Sequence, residues 1–213
     1  MVTSQQHVQV ERLKRLLRVD ARVVDLCWTR TVSGVVPSCQ SVTTTVQWLR
    51  STLGVNVALD LGGGRYHQLQ LACGIIAPFV ATRIRHNASW QTMDVAEAAV
   101  EMERVLEMRR WLGLDLGTGT SRYQADDGTV NLTETEVMEL LVMYQNHTDD
   151  SWVFISSLDG VHRRIAESLT EAADNVEAST FSPSDVQFAI MNTENSASTG
   201  LHWVLVAWKI YAR

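Results

Sequence analysis

The sequence has 213 residues, of which 46% are hydrophobic and 20% are charged, and its net charge is −6. This length and composition predict one soluble globular domain and exclude a disordered chain or a small disulfide scaffold. No apolar run reaches the ~18 residues of a membrane span. The basic residues are scattered, with no run longer than two. Neither a membrane nor nucleic acid is therefore expected as a partner.

The cysteines and histidines give no sign of a metal or a disulfide framework. Cys27, Cys39 and Cys73 are odd in number and form no C-x-x-C pair, which favours a reducing, intracellular location in cytoplasm or nucleus. No grouping of His, Cys, Asp and Glu has the spacing of metal ligands. We expect no cofactor.

The first half of the chain mixes helical and extended patterns. Gly54 stands where a helix-ending glycine is expected, and Pro78 predicts a helix that is either kinked or starts later than Cys73. The predicted elements are a leading helix over 5–18, a strand over 22–28, a helix over 41–53, a strand over 55–61, and helices over 73–84 and 94–111.

The second half continues without regular alternation, which predicts an α+β fold with a mixed central sheet and flanking helices rather than a doubly wound sheet. Its predicted elements are a helix over 133–144, a strand over 152–155, a helix over 161–173, and strands over 186–191 and 202–211. We predict a single domain over 1–213, comprising a leading helix (1–20), a cysteine half (21–112), a glycine-rich connection (113–130) and a histidine half (131–213).

Two dipeptides carry a chemical signal. Cys73-Gly74 opens an apolar helix, and His202-Trp203 opens a hydrophobic strand. A helix N-terminus and a nearby imidazole both favour the thiolate form of a cysteine. In cysteine peptidases the histidine takes the thiol proton and later protonates the leaving amine, while a carboxylate or amide fixes the tautomer.

Cys73-Gly74-Ile75-Ile76 and His202-Trp203-Val204-Leu205 resemble the Ulp/SENP and adenovirus-protease family of cysteine peptidases. Segments 132–137 and 188–192 also resemble elements of that family. The resemblance implies a papain-like peptidase fold without a cofactor. It also implies a substrate, which is a ubiquitin-like modifier or a precursor polypeptide, cut at a peptide or isopeptide bond after a small-residue tail.

The order of the two halves differs from the family, in which the histidine strand precedes the cysteine. Joining Arg213 to about Ala21 would restore the family order. The sequence therefore predicts a circular permutant, with residues 113–130 as the new connection.

The resemblance also implies the roles of individual residues. Cys73 is the nucleophile, His202 the general base and acid, and Asp25 the orienting carboxylate on a strand beside that of His202. Trp203 is expected to pack near the site and contribute to substrate binding. The family's oxyanion-hole glutamine lies six residues before the cysteine, where this chain has His67, so we assign that role to Gln68.

Other interpretations remain open. His67 at the glutamine position and Pro78 favour a non-enzymatic interaction or structural protein with a degenerate peptidase fold. Residues 57–64 resemble the first motif of S-adenosylmethionine-dependent methyltransferases, although Tyr66 replaces its last glycine. A monomer would assemble the site within one chain, whereas a domain-swapped dimer would assemble it between two.

Overall fold

The computed structural model describes residues 4–25, 40–60, 73–74, 77–78, 80–81, 137, 154–155, 158–180, 186–193 and 202–213. These residues form an α+β fold with a five-stranded mixed sheet. The elements are α1 (Ser4–Leu16), β1 (Leu17–Val24), α2 (Gln40–Leu53), β2 (Asn56–Asp60), β3 (Phe154–Ile155), α3 (Leu158–Glu177), β4 (Val186–Asn192) and β5 (Trp203–Ala212).

The strand order in the sheet is β2-β1-β5-β4-β3. The central strand β5 runs antiparallel to β1 and to β4, whereas the outer pairs β1–β2 and β4–β3 are parallel. In the β1–β5 register Val24 lies opposite Leu205. The residue that follows β1 and the residue that precedes β5 are therefore brought to the same end of the sheet.

One face of the sheet forms the main hydrophobic core with the three helices. Successive side chains of a strand point to opposite faces, so alternate residues of β1 and β5 share this face. Trp208, a member of this core, is fully buried. The strand residues of the core include Leu17, Val19, Ala21, Val23, Val204, Val206, Trp208 and Ile210, and the helices add Leu13, Val42, Leu49, Ile165 and Leu169.

The predicted boundary between the leading helix and the first strand is wrong. The helix was expected over 5–18 and the strand over 22–28, but α1 ends at Leu16 and β1 begins directly at Leu17. Leu17 and Val19 are buried on the core face, while Arg18 is exposed. Pairing with β5 thus places Leu17 and Arg18 in a strand, although the sequence pattern at these positions fits a helix equally well.

Most other predicted elements in the described residues are confirmed within a few positions. Gly54 has a φ of 62° and ends α2, as expected for a glycine in the left-handed conformation. The four apolar positions that predicted α3 are all buried: Val161, Ile165, Leu169 and Ala173. The predicted helix over 94–111 and the connection 113–130 lie outside the described residues, and within 133–144 only Val137 is described, as a buried helical residue.

The segment that carries Cys73 is helical at every described position. Cys73 and Gly74 are already helical, so the expected alternative of a later start is wrong. Pro78 lies among helical residues, and Ala77, Val80 and Ala81 are buried. The described residues of this segment are therefore helical and buried.

A stacked pair joins α2 to α3. The rings of Trp48 and His162 lie 4.2 Å apart at an angle of 10°. Burial lowers the pKa of His162, although attraction to Asp159 opposes the shift. A half-buried imidazole in this position therefore favours its neutral form. No helix in the described part of the chain is long and apolar enough to cross a membrane.

Replacing Ile165 tests the core. Its side chain is fully buried between α3 and the sheet. Ile165→Ala should lower the free energy of unfolding by about 2–5 kcal/mol, because it removes apolar contacts and leaves a cavity. Glu171→Ala, an exposed position on the same helix, should change it by less than about 0.5 kcal/mol. Urea unfolding measures both, and equal effects would contradict the assignment of this core.

The lowered pKa of His162 predicts a loss of stability in acid. The unfolded chain takes up a proton near pH 6.5, whereas the folded chain resists protonation at His162. Stability from this group is therefore complete above about pH 6.5 and falls as the pH drops below it. His162→Phe keeps a ring beside Trp48 and should reduce the fall in urea midpoint between about pH 7.5 and about pH 5.5. His7→Gln, at an exposed position, should keep the parent's pH dependence.

Candidate active site

Asp25 and His202 meet at the end of the β1–β5 pair. Asp25 directly follows β1 and His202 directly precedes β5. Extending the antiparallel register by one residue places Asp25 opposite Val204, two residues from His202, which is a diagonal neighbour in a sheet. The Nε2 of His202 lies 3.0 Å from Oδ1 of Asp25. The strand pairing expected between the Asp25 strand and the His202 strand is therefore present.

The sulfur of Cys73 lies against the same histidine. The backbone N–H of Trp203 donates a hydrogen bond to the Cys73 sulfur at 3.4 Å, and interaction with Cys73 is one of the causes that raise the pKa of His202. Because Asp25 occupies Nε2, Nδ1 is the ring nitrogen that this hydrogen bond leaves available. Cys73 forms no disulfide. The side chains thus form a continuous carboxylate, imidazole and sulfur series.

The electrostatics of this series favour a charged imidazole. Burial opposes the charged form of His202, but hydrogen bonds to Asp25 and Cys73, together with their negative charges, outweigh burial and raise the pKa of His202 to about 11. The Asp25 side chain is only 2% exposed. A carboxylate buried to that degree requires a hydrogen-bonded partner. At neutral pH the arrangement therefore holds an imidazolium between two acceptors.

A second set of hydrogen bonds holds the backbone of His202. Its carbonyl accepts the backbone N–H of Thr193 at 2.8 Å and the Thr193 hydroxyl at 3.1 Å. The carbonyl of Thr193 in turn accepts the Ser41 hydroxyl at 3.1 Å. The sequence analysis missed these residues. The available signal was their position, since Thr193 lies two residues after a predicted strand and Ser41 opens a predicted helix.

Of the two other predicted site residues, the structure describes Trp203 but not Gln68. The side chain of Trp203 is buried, with the residue 1% exposed, so its described contribution is the N–H that reaches Cys73, and its role in substrate binding stays a prediction. Gln68, the assigned oxyanion donor, lies outside the described residues, as do Cys27 and Cys39. No group of three metal-ligating side chains occurs within the described ranges.

Comparison with protein-family models, with curated proteins and with solved structures finds no match for this chain. The function must therefore be argued from the side chains that the fold brings together.

The charge state of His202 predicts its titration. Its imidazole should remain protonated from about pH 6 to about pH 9, where an ordinary histidine has lost its proton. Asp25→Asn removes one of the negative charges that raise the pKa and should move the titration towards neutral pH. Long-range ¹H–¹⁵N spectra of the imidazoles measure both effects. A His202 resonance that titrates near pH 6.5 in the parent protein would contradict the described hydrogen bonds.

Proposed function

We propose that this protein is a cysteine peptidase in which Cys73 is the nucleophile, His202 the general base and acid, and Asp25 the residue that orients the imidazole. The observation that carries the proposal is that His202 bonds to Asp25 while the sulfur of Cys73 accepts a hydrogen bond from Trp203, the residue next to His202. These side chains come from three separate segments of the chain. Activation of a thiol requires a nucleophile, a base and a group that orients the base, and the three side chains provide these groups.

The first half of the reaction uses the ion pair. The proton of the Cys73 thiol resides on His202, and the thiolate attacks the carbonyl carbon of the scissile bond to give a tetrahedral intermediate. The N–H of Trp203 directed at the sulfur stabilises the thiolate before attack. The His202 imidazolium then protonates the departing amine, the carbon–nitrogen bond breaks, and a thioester to Cys73 remains.

The second half regenerates the enzyme. Neutral His202 removes a proton from water, and the resulting hydroxide attacks the thioester carbonyl. The carbon–sulfur bond breaks, the acid product leaves, and the proton stays on His202 beside the thiolate. Asp25 keeps Nε2 as a hydrogen-bond donor throughout, so that Nδ1 always faces the reacting sulfur.

The fold supports a permuted relationship to the Ulp/SENP and adenovirus-protease family. Leu17 at the start of β1 pairs with Ala212 at the end of β5, and the N–H of Arg213 bonds to the carbonyl of Leu16 at 3.2 Å. A short hairpin between these positions would join β5 to β1 and give the family's chain order. The proposed substrate is accordingly a ubiquitin-like modifier or a precursor polypeptide, and Gln68 is the proposed oxyanion donor.

A second candidate is an interaction or structural protein that retains the same side chains without catalysis. Cys73 is only 3% exposed, and a buried cysteine is most often a packing residue. The methyltransferase interpretation is less favoured, because the described strands do not alternate regularly with helices, as those of a doubly wound sheet do.

Thiol reactivity and turnover test the proposal. Iodoacetamide at neutral pH should alkylate Cys73 faster than Cys27 and Cys39, as followed by peptide mass spectrometry, because only the thiolate reacts readily. His202→Ala removes the imidazolium partner and should slow alkylation of Cys73 by at least about tenfold. It should also lower cleavage of a ubiquitin-like protein carrying a C-terminal fluorogenic amide by about 10²–10⁴-fold.

His7→Ala is the matched control, since His7 is exposed on α1, and it should leave both rates unchanged. Equal and slow labelling of all three cysteines, unaffected by His202→Ala, would reject the peptidase and favour the interaction protein. Thermal stabilisation by S-adenosylmethionine would instead favour the methyltransferase.

A further inference from the structure

We propose that Thr193 is a positioning residue for His202, and that its hydroxyl holds the backbone of the histidine where the imidazole can serve both Asp25 and Cys73. This inference rests on the proposed function, because it concerns the same site. It adds a residue that carries no chemistry itself and acts only through the location of the base.

The geometry extends the β4–β5 ladder by one residue pair. Asn192 lies opposite Trp203 as the last pair of the two strands, and Thr193 and His202 are the next residues along each strand. The Thr193 N–H and hydroxyl both donate to the His202 carbonyl, at 2.8 and 3.1 Å. A carbonyl oxygen has two lone pairs and accepts both bonds.

Helix α2 anchors Thr193 from the other side. The Ser41 hydroxyl, in the first turn of α2, donates to the Thr193 carbonyl at 3.1 Å. One turn further along α2, the Thr45 hydroxyl lies 3.5 Å from the sulfur of Met191. Val42, between these two residues, is fully buried in the main core. The position of Thr193 is therefore tied to the rigid core of the domain.

His202 needs such a restraint because it lies just outside the regular strands. β1 ends at Val24 and β5 begins at Trp203, so the β1–β5 register stops short of the histidine. Its side chain is 25% exposed. A base and a nucleophile lose much of their effect when displaced by as little as ~1 Å. The paired bonds from Thr193 to the histidine's own carbonyl limit that displacement.

Thr193→Val tests the hydroxyl while keeping the size and β-branched shape of the side chain. The rate of Cys73 alkylation near neutral pH should fall by about threefold to tenfold, the range expected for one hydrogen bond. In the cleavage assay kcat should fall with little change in KM, because the change acts through the position of the base. Thr193→Ser restores a hydroxyl and should recover the parent rate within about twofold.

Thr170→Val is the matched control. The Thr170 hydroxyl also donates to a backbone carbonyl, that of Ala166 at 2.9 Å within α3, so the same chemical change is made away from the site. It should leave the alkylation rate and its pH profile unchanged. If Thr193→Val fails to fold by its urea midpoint, Ser41→Ala removes the outer hydrogen bond and should lower the rate by about twofold to fivefold.

The outcomes separate this inference from the proposed function. If His202→Ala slows Cys73 alkylation but folded Thr193→Val reacts like the parent, the positioning role is rejected and the peptidase proposal stands. Equal losses in Thr193→Val and Thr193→Ser would also reject a role for the hydroxyl. If His202→Ala leaves the cysteine's reactivity unchanged, the peptidase proposal and this inference both fail.

Discussion

The hydrogen bond between the buried carboxylate of Asp25 and the imidazole of His202 depends on the antiparallel register of β1 and β5. These side chains are 177 residues apart in the chain, and the register places their ends together. A shift of one strand by one residue would turn its buried side chains towards the opposite face of the sheet. The hydrophobic core therefore restrains the geometry of the site, because Val23 and Val206 lie opposite each other in this register and are both buried.

Much of this arrangement could be predicted because its signals are local. The residues of α2 and α3 show helical periodicity, and Gly54 marks the end of α2. The dipeptides Cys73-Gly74 and His202-Trp203 predicted two site residues that the fold brings together. The start of β1 could not be predicted, because Leu17 is assigned to a strand by partners near residue 212. Thr193 was missed because a hydroxyl bonded to a distant carbonyl leaves no periodic pattern.

Two histidines respond to pH in opposite directions. His162 has a lowered pKa because it is half buried, so its contribution to stability is present above about pH 6.5 and is lost in acid. His202 has a raised pKa because hydrogen bonds to Asp25 and Cys73, and then their charges, outweigh its burial. Its contribution is therefore present below about pH 6.5 and is lost as the pH rises towards its raised pKa. Both contributions are largely retained near neutral pH, where the first histidine is neutral and the second is charged.

The location of the site explains why chain order matters little to it. Asp25, Cys73 and His202 come from the end of one strand, a helical segment and the start of another strand. Their contact requires that β1 and β5 be neighbours and that the helix reach Trp203. Neither condition depends on which segment comes first in the chain. The opposite ends of these strands, Leu17 and Ala212, are paired far from the site, so a connection made or cut there leaves Asp25, Cys73 and His202 in place.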